Sequence, residues 1–192
     1  MGRAKAWLPF GDEFLLQRVV RVVREAVNPV VVVAAVGQDV PALPPDVLLV
    51  RDEFEDRGPL AGLAAGLAAL EGECEGAYLS ACDAPFLTPA FVRRVVGCLE
   101  GGSFAAVPSV GGFWHPLAAA YRVEVLSTVR QMLAGNQLRM TDLLALVPTC
   151  LIGPVEFAGV DPELRSLRNL NTPDEYEAAL REAYDLNHLP VV

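Results

Sequence analysis

The run at 30–35, VVVVAA, has no polar face. Four consecutive β-branched residues suit extended backbone, and a strand apolar on both faces must be covered on both, which is the situation of a parallel strand between helices. The segment before it, DEFLLQRVVRVVREAV from Asp12, sets Phe14, Leu15, Val19, Val22, Val23 and Ala26 on one stripe, with Arg18, Arg21 and Arg24 opposite. That spacing predicts an amphipathic helix with Asp12 as its N-cap. The same alternation returns downstream. DVLLV reads as a short strand, GPLAGLAAGLAALEG as a small-residue helix, AYLSACD as another buried strand, and TPAFVRRVVGCLEGG as a helix capped by Thr88 with Pro89 in its first turn. FAAVPSVGGFWHPLAAAY predicts two strands joined at Gly111-Gly112, and helices are expected near 122–135 and 140–147. In NTPDEYEAALREAY, Thr172 and Glu175 have capping-box spacing and Pro173 takes the first helical position. DVPALPPDV reads as a surface connection. Strands alternating with helices imply a three-layer α/β/α fold on a mostly parallel, Rossmann-like sheet, and such sheets bind ligands at the carboxyl ends of their strands.

With 192 residues, 53% of them hydrophobic, the chain suits one domain spanning 1–192. A net charge of −9 with scattered arginines provides no basic field for a polyanion, so nucleic acid is not an expected partner. Cys74, Cys82, Cys98 and Cys150 show no C-x-x-C spacing, which predicts buried thiols rather than a zinc site or disulfides, as in a reducing cytoplasm. No apolar run is long enough for a membrane span and no signal-peptide pattern opens the chain, so a cytoplasmic protein with no membrane partner is expected.

The residues following the apolar runs are those that can carry chemistry. Asp83, in LSACDAPFL, stands just after a strand; it can hold a hard cation such as Mg2+, or simply cap the turn before Pro85. Asp52 also ends a strand, ahead of Gly58-Pro59, and Gly62 and Gly66 in the next helix admit either a ligand or a close helix–sheet contact. Lys5 is the only lysine, placed in MGRAKAWLPFG, where an ammonium could reach a phosphate or lie solvated at the surface. P-loop spacing is absent there. His115 follows the Gly-Gly turn and precedes Pro116, which suits a loop facing a cleft; no nucleophile motif accompanies it to make it a general base. Asn169 and Asn171 flank Leu170 and so share a face, with helix entry as the alternative role, stronger for Asn171.

Taken in order, Met1-Gly2, Lys5, LPFG at 8–11, Asp52 with GPLAGL at 58–63, CDAPFL at 82–87, HPLAAAY at 115–121 and NLNTPDEY at 169–176 resemble the molybdenum cofactor guanylyltransferases of the MobA type. The resemblance covers essentially the whole chain. It implies the nucleotidyltransferase fold and the joining of GMP from GTP to the phosphate of molybdopterin, with release of pyrophosphate and with Mg2+ as cofactor. Carried over residue by residue, Asp83 would hold Mg2+ and Lys5 would contact the GTP phosphates, the two forming the catalytic pair. Asp52 with Gly58, Pro59 and Leu60 would hold the guanosine. His115, Asn169 and Asn171 would lie toward the pterin, with Arg139 serving a phosphate there. A molybdoenzyme or its chaperone is the physical partner that the resemblance suggests.

Two departures from the family stand out. Ala4 replaces the aspartate common before the lysine, and the family's first strand and glycine-rich loop are missing, which predicts that Met1 is the internal methionine of an Arg-Met-Gly. Since unpaired flanking strands would cost more than the marginal stability of a domain, about 5–15 kcal/mol, about fifteen further residues upstream are expected. Rival readings are a cytidylyltransferase of the same cofactor, another transferase of this type, and, in a different class, a non-catalytic nucleotide-binding domain.

Overall fold

In the computed structural model, which describes residues 4–52, 57–99 and 101–187, the chain enters through a tight hairpin. Strands β1 (Pro9–Phe10) and β2 (Glu13–Phe14) pair antiparallel across Gly11, whose φ of +65° suits a residue without a side chain. The hairpin displaces the expected helix start. Helix α1 runs over Leu15–Arg24, and the Phe14 N–H donates to Gln17 Oε1 at 3.1 Å, so Asp12 lies in the turn rather than at the N-cap. The Met1-Gly2 pair matched to the family's loop lies outside the described residues.

Strands β3 (Val30–Ala35) and β4 (Val47–Asp52) pair in parallel, with Val30 opposite Val47 and Ala35 opposite Asp52. Helix α2 (Gly58–Ala69) leads to β5 (Gly76–Ser80), and α3 (Pro89–Gly97) follows, its Thr88 Oγ1 accepting from the Phe91 N–H at 3.2 Å as the cap spacing predicts. β6 (Ala105–Val110) turns at Gly111-Gly112 into β7 (Phe113–Trp114). The chain breaks at His115-Pro116 and resumes as β8 (Ala118–Arg122), so the predicted second strand is two. Pro116 cannot donate to a ladder, which accounts for the interruption. Helices α4 (Val125–Ala134) and α5 (Met140–Leu146), strand β9 (Thr149–Ile152) and helix α6 (Pro173–Asn187) complete the order.

The sheet is more mixed than strand–helix alternation alone implies. β8 lies antiparallel between β5 and β6, because it returns from a hairpin, while β9 joins the far edge of β6 in parallel. Successive residues of one strand serve opposite cores: Ala106 packs with α1 and α3 residues such as Val19 and Phe91, whereas Val107 packs with α2 and α4 residues such as Leu67 and Val129. This is the expected α/β/α arrangement. A third cluster joins distant segments, with Leu8, Phe10 and Leu15 packed against Phe86, Leu170 and Ala179. All four cysteines are free and half-buried, not fully buried as expected, since each sits near an element end rather than mid-strand.

Candidate functional site

The third cluster has a polar counterpart. Lys5 Nζ donates to Asp83 Oδ2 at 2.5 Å and to Asn171 Oδ1 at 2.9 Å, joining residues 78 and 166 positions away along the chain. Three backbone devices hold them. Lys5 sits in a 3-10 turn, Lys5–Trp7, fastened when Trp7 Nε1 donates to Asp39 O at 3.0 Å. Asp83 lies three residues beyond the end of β5, in a buried stretch running from Asp83 to Leu87. The Leu170 N–H donates to Asp83 O at 3.0 Å, while the fully buried Leu170 side chain leaves Asn169 and Asn171 exposed on its two sides. That is the shared face expected of the two asparagines.

Helix α6 then fixes Asn171. Glu175 Oε2 accepts from the N–H groups of Asn171 at 2.6 Å and Thr172 at 2.9 Å, and the Glu175 N–H donates to Thr172 Oγ1 at 3.2 Å. These donors hold the Glu175 carboxyl below its usual range. The capping box therefore both starts the helix and orients the residue before it.

Sequence reasoning missed the residue that binds the two halves of the site together. Arg18, predicted on the solvent face of α1, instead lies 5.1 Å over the Phe10 ring and donates through Nε to Pro85 O at 2.6 Å. It is thus a bridge between the LPFG hairpin and the loop that carries Asp83. Helical periodicity placed it opposite the apolar stripe correctly; that this side is covered by the β1–β2 hairpin is a tertiary fact. Tyr176, whose hydroxyl donates to Pro9 O, ties α6 to the same hairpin.

The Asp83 carboxylate is almost buried, and its Oδ1 has no hydrogen-bond partner. An orphaned buried carboxylate oxygen fits a cation, and no group of three or more His, Cys, Asp or Glu side chains able to hold a metal occurs among the described residues. The donor set therefore suits a hard ion that takes one protein carboxylate and fills its shell from water and substrate oxygens. Burial, with the Asp83 charge beside it, pushes the Cys82 thiol up, so it is no thiolate nucleophile.

His115 is half-buried in the break between β7 and β8, where desolvation pushes its pKa down and favours the neutral ring. Its loop touches the same edge, since the Ala81 N–H donates to Leu117 O at 3.2 Å. Asp52 closes β4 at the level of Ala35. Gly58 and Pro59 are exposed at the start of α2, Gly58 with φ of +65°, whereas the Leu60 side chain is fully buried and offers a ligand only its backbone. Arg139 is exposed at the start of α5 and forms no ion pair among the described residues.

Known proteins resemble the chain in sequence and in fold. The profile of the family described as the MobA-like NTP transferase domain matches residues 1–146. Over 178 residues the chain is 30% identical to the molybdenum cofactor guanylyltransferase of Desulfosudis oleivorans, covering 93% of this chain and 86% of that protein. It is 33% identical over 181 residues to the probable molybdenum cofactor guanylyltransferase of Mycobacterium avium, covering 93% and 87% of the two chains. Among solved structures, molybdopterin-guanine dinucleotide biosynthesis protein A from Archaeoglobus fulgidus superposes with a TM-score of 0.78 at 18% identity, over 96% of this chain and 92% of that one. At that identity the likeness is one of fold.

Proposed function

Because the chain belongs to the MobA-like NTP transferase family, we propose that it is a molybdenum cofactor guanylyltransferase, an enzyme that transfers GMP from GTP to the terminal phosphate of molybdopterin. A phosphate oxygen of molybdopterin attacks the α-phosphorus of GTP, the bond from that phosphorus to the β-phosphate bridging oxygen breaks, and pyrophosphate leaves. The attacking group is already an anion, so no general base is required. What the protein must supply is alignment and neutralisation of charge.

The observation that carries this reading is the meeting of Lys5, Asp83 and Asn171, three residues whose only common property in the sequence is membership of separate motifs. Lys5 provides a mobile positive charge for the triphosphate, and its bond to Asp83 sets that charge beside the carboxylate. Asp83, with one carboxylate oxygen unpartnered, would hold Mg2+, which when bound would supply positive charge against the reacting phosphates. Asp52, with the backbone of Gly58, Pro59 and Leu60 at the start of α2, holds the guanosine. Asn169, Asn171 and the neutral His115 face the pterin side, and Arg139, free of ion pairs among the described residues, serves a phosphate there. We place the reaction in the cytoplasm, with delivery to a molybdoenzyme or its chaperone. No helix among the described residues is long and apolar enough to cross a membrane.

Pyrophosphate release from GTP, CTP and ATP, each with molybdopterin and with Mg2+ present or chelated, tests the assignment. Release from GTP alone, abolished by chelation, is expected. Preference for CTP would make the enzyme the cytidylyl counterpart, and nucleotide binding without release would make it a binding domain. An anaerobic pull-down that recovers no molybdoenzyme would remove the proposed delivery partner.

A further inference from the structure

Phe113 and Trp114 are large aromatic residues left open to solvent, 74% and 41% exposed, on a strand two residues long. That strand is firmly held. Gly111 and Gly112, with φ of +59° and +81°, both take the left-handed region that the tightest hairpin turns require, and β7 pairs with β6 in a register that sets Ser109 opposite Trp114 and Val110 opposite Phe113. The His115 N–H then donates to Pro108 O at 2.9 Å and closes the arm. The Trp114 indole N–H has no hydrogen-bond partner among the described residues. Neither the turn nor the core makes use of an indole at this position.

Topology puts that indole beside the site. β5 and β6 both run antiparallel to β8, so they share a direction, and the hairpin at the carboxyl end of β6 stands at the same edge as Asp83, just past β5. Along β6, Val107 faces the α2 and α4 side, so Ser109 and its partner Trp114 face that side too, whereas Phe113 faces the other. Helix α4 starts where β8 ends, at the opposite edge, and runs back toward this one. There Arg57 Nη1 donates to Leu133 O at 2.8 Å, which joins the end of α4 to the start of α2, and Arg139 follows at the start of α5. Trp114, Arg139 and the start of α2 therefore share one edge and one face. Their order along the edge follows from the strands: β8 lies on one side of β5, and β3, which lines one channel with β5, lies on the other together with β4. Asp52 and Gly58 thus flank Asp83 on the β4 side, and Trp114 flanks it on the β8 side.

We propose that Trp114 selects the acceptor, its indole stacking on the pterin ring whose phosphate attacks GTP. The inference rests on the proposed transfer reaction, which brings together two molecules that each carry a flat heteroaromatic ring on opposite sides of the reacting phosphates. With the guanosine on the Asp52 flank, the acceptor's ring falls on the Trp114 flank. A fused, electron-poor ring is matched by the electron-rich face of an indole, and stacking covers the aromatic surface that the fold leaves in water. The hairpin adds precision, because an arm whose turn and ladder already fix the backbone loses little freedom when the ring docks. Arg139, on the same face and edge, is placed to meet the acceptor's charge, so ring and phosphate are held by different residues. Phe113 points to the other face and takes no part.

The test compares the unsubstituted chain with Trp114→Leu, Trp114→Phe and Phe113→Leu. Each protein is titrated with a stable pterin carrying a phosphate on its side chain, read by calorimetry and by quenching of the pterin's own emission, and its KM for molybdopterin and for GTP is measured by pyrophosphate release. Leucine keeps apolar area but lacks an aromatic face, so Trp114→Leu should weaken pterin phosphate binding and raise KM for molybdopterin by about tenfold or more, with the quenching lost. KM for GTP should stay as it was, and Tm should stay within about 2 °C, because the residue is half-exposed. Trp114→Phe should restore binding to within about threefold, and Phe113→Leu should match the unsubstituted chain. A KM for molybdopterin within about twofold of the original in Trp114→Leu would overturn the proposal. A rise confined to KM for GTP would give the indole to the guanine and overturn it as well. Should the unsubstituted chain release no pyrophosphate, the proposed reaction fails by itself and pterin phosphate binding still decides the stacking: about a tenfold gap between that chain and Trp114→Leu supports it, and equal or absent binding overturns it.

Discussion

Replacing Asp83 by asparagine separates the chemistry of the site from its architecture. The Asp83 side chain is 10% exposed, accepts from Lys5 at 2.5 Å through one oxygen and leaves the other without a partner. Asp83→Asn would keep the shape and the backbone bond to Leu170 while removing the charge. The lost ion pair is worth little, because the Lys5 side chain is 34% exposed and retains Asn171, and relief from burying a charge offsets part of it. A net change within about 1 kcal/mol follows, or at most about 4 °C in Tm for a domain of this size. For the reaction, losing one fixed charge aimed at the reacting phosphates should cost about 100- to 1000-fold in kcat, corresponding to about 2.7–4 kcal/mol of transition-state stabilisation. Pyrophosphate release at saturating GTP, measured beside a thermal melt of the same preparation, reads both quantities. Activity kept within tenfold would refute the assignment of Asp83. A Tm lowered by more than about 10 °C, with activity falling in step with the folded fraction, would show that the Lys5–Asp83 pair is architectural.

Arg18→Met keeps the packing of the stem on Phe10 but loses the bond to Pro85 O and the cation over the ring, and should cost about 1–2 kcal/mol, read as the midpoint shift in a urea titration. Leu170→Ala empties a fully buried position in the cluster beneath Asn171 and should cost about 2–5 kcal/mol in the same assay, with a raised KM for molybdopterin in whatever remains folded. For His115, burial favours the neutral ring in the folded protein, so the unfolded chain takes up the proton first as pH falls. Stability from this group is present above about pH 6.5 and declines as pH drops below it, and His115→Gln should flatten that part of a Tm-against-pH curve. Glu175→Gln removes a carboxylate held low by the Asn171 and Thr172 amides, so the stability it contributes, present above its ordinary pKa and lost at more acid pH, should disappear from the acid limb while the limb due to His115 remains.

Local chemistry alone was enough for several elements. Four valines in a row had to be a strand, though only alternate residues of it are fully buried, Thr88-Pro89 and Thr172-Pro173 had to open helices, and Gly111-Gly112 had to be a turn, because each rests on backbone dihedrals or capping bonds made within a few residues. The positions of two candidate residues were legible for the same reason: Asp52 ends β4 and Asp83 follows β5, as expected from the apolar runs before them.

What needed three dimensions was every relation between distant segments. That Lys5 grips Asp83 and Asn171, that Arg18 turns inward rather than to solvent, that β8 slots antiparallel between β5 and β6, and that β3 and β5 face each other across a channel are properties of side chains and strand edges brought together by packing. Periodicity records which way a residue faces relative to its own helix or strand. It carries no record of what lies on that side, and the Arg18 side of α1 became a covered face only when the hairpin at Gly11 folded over it.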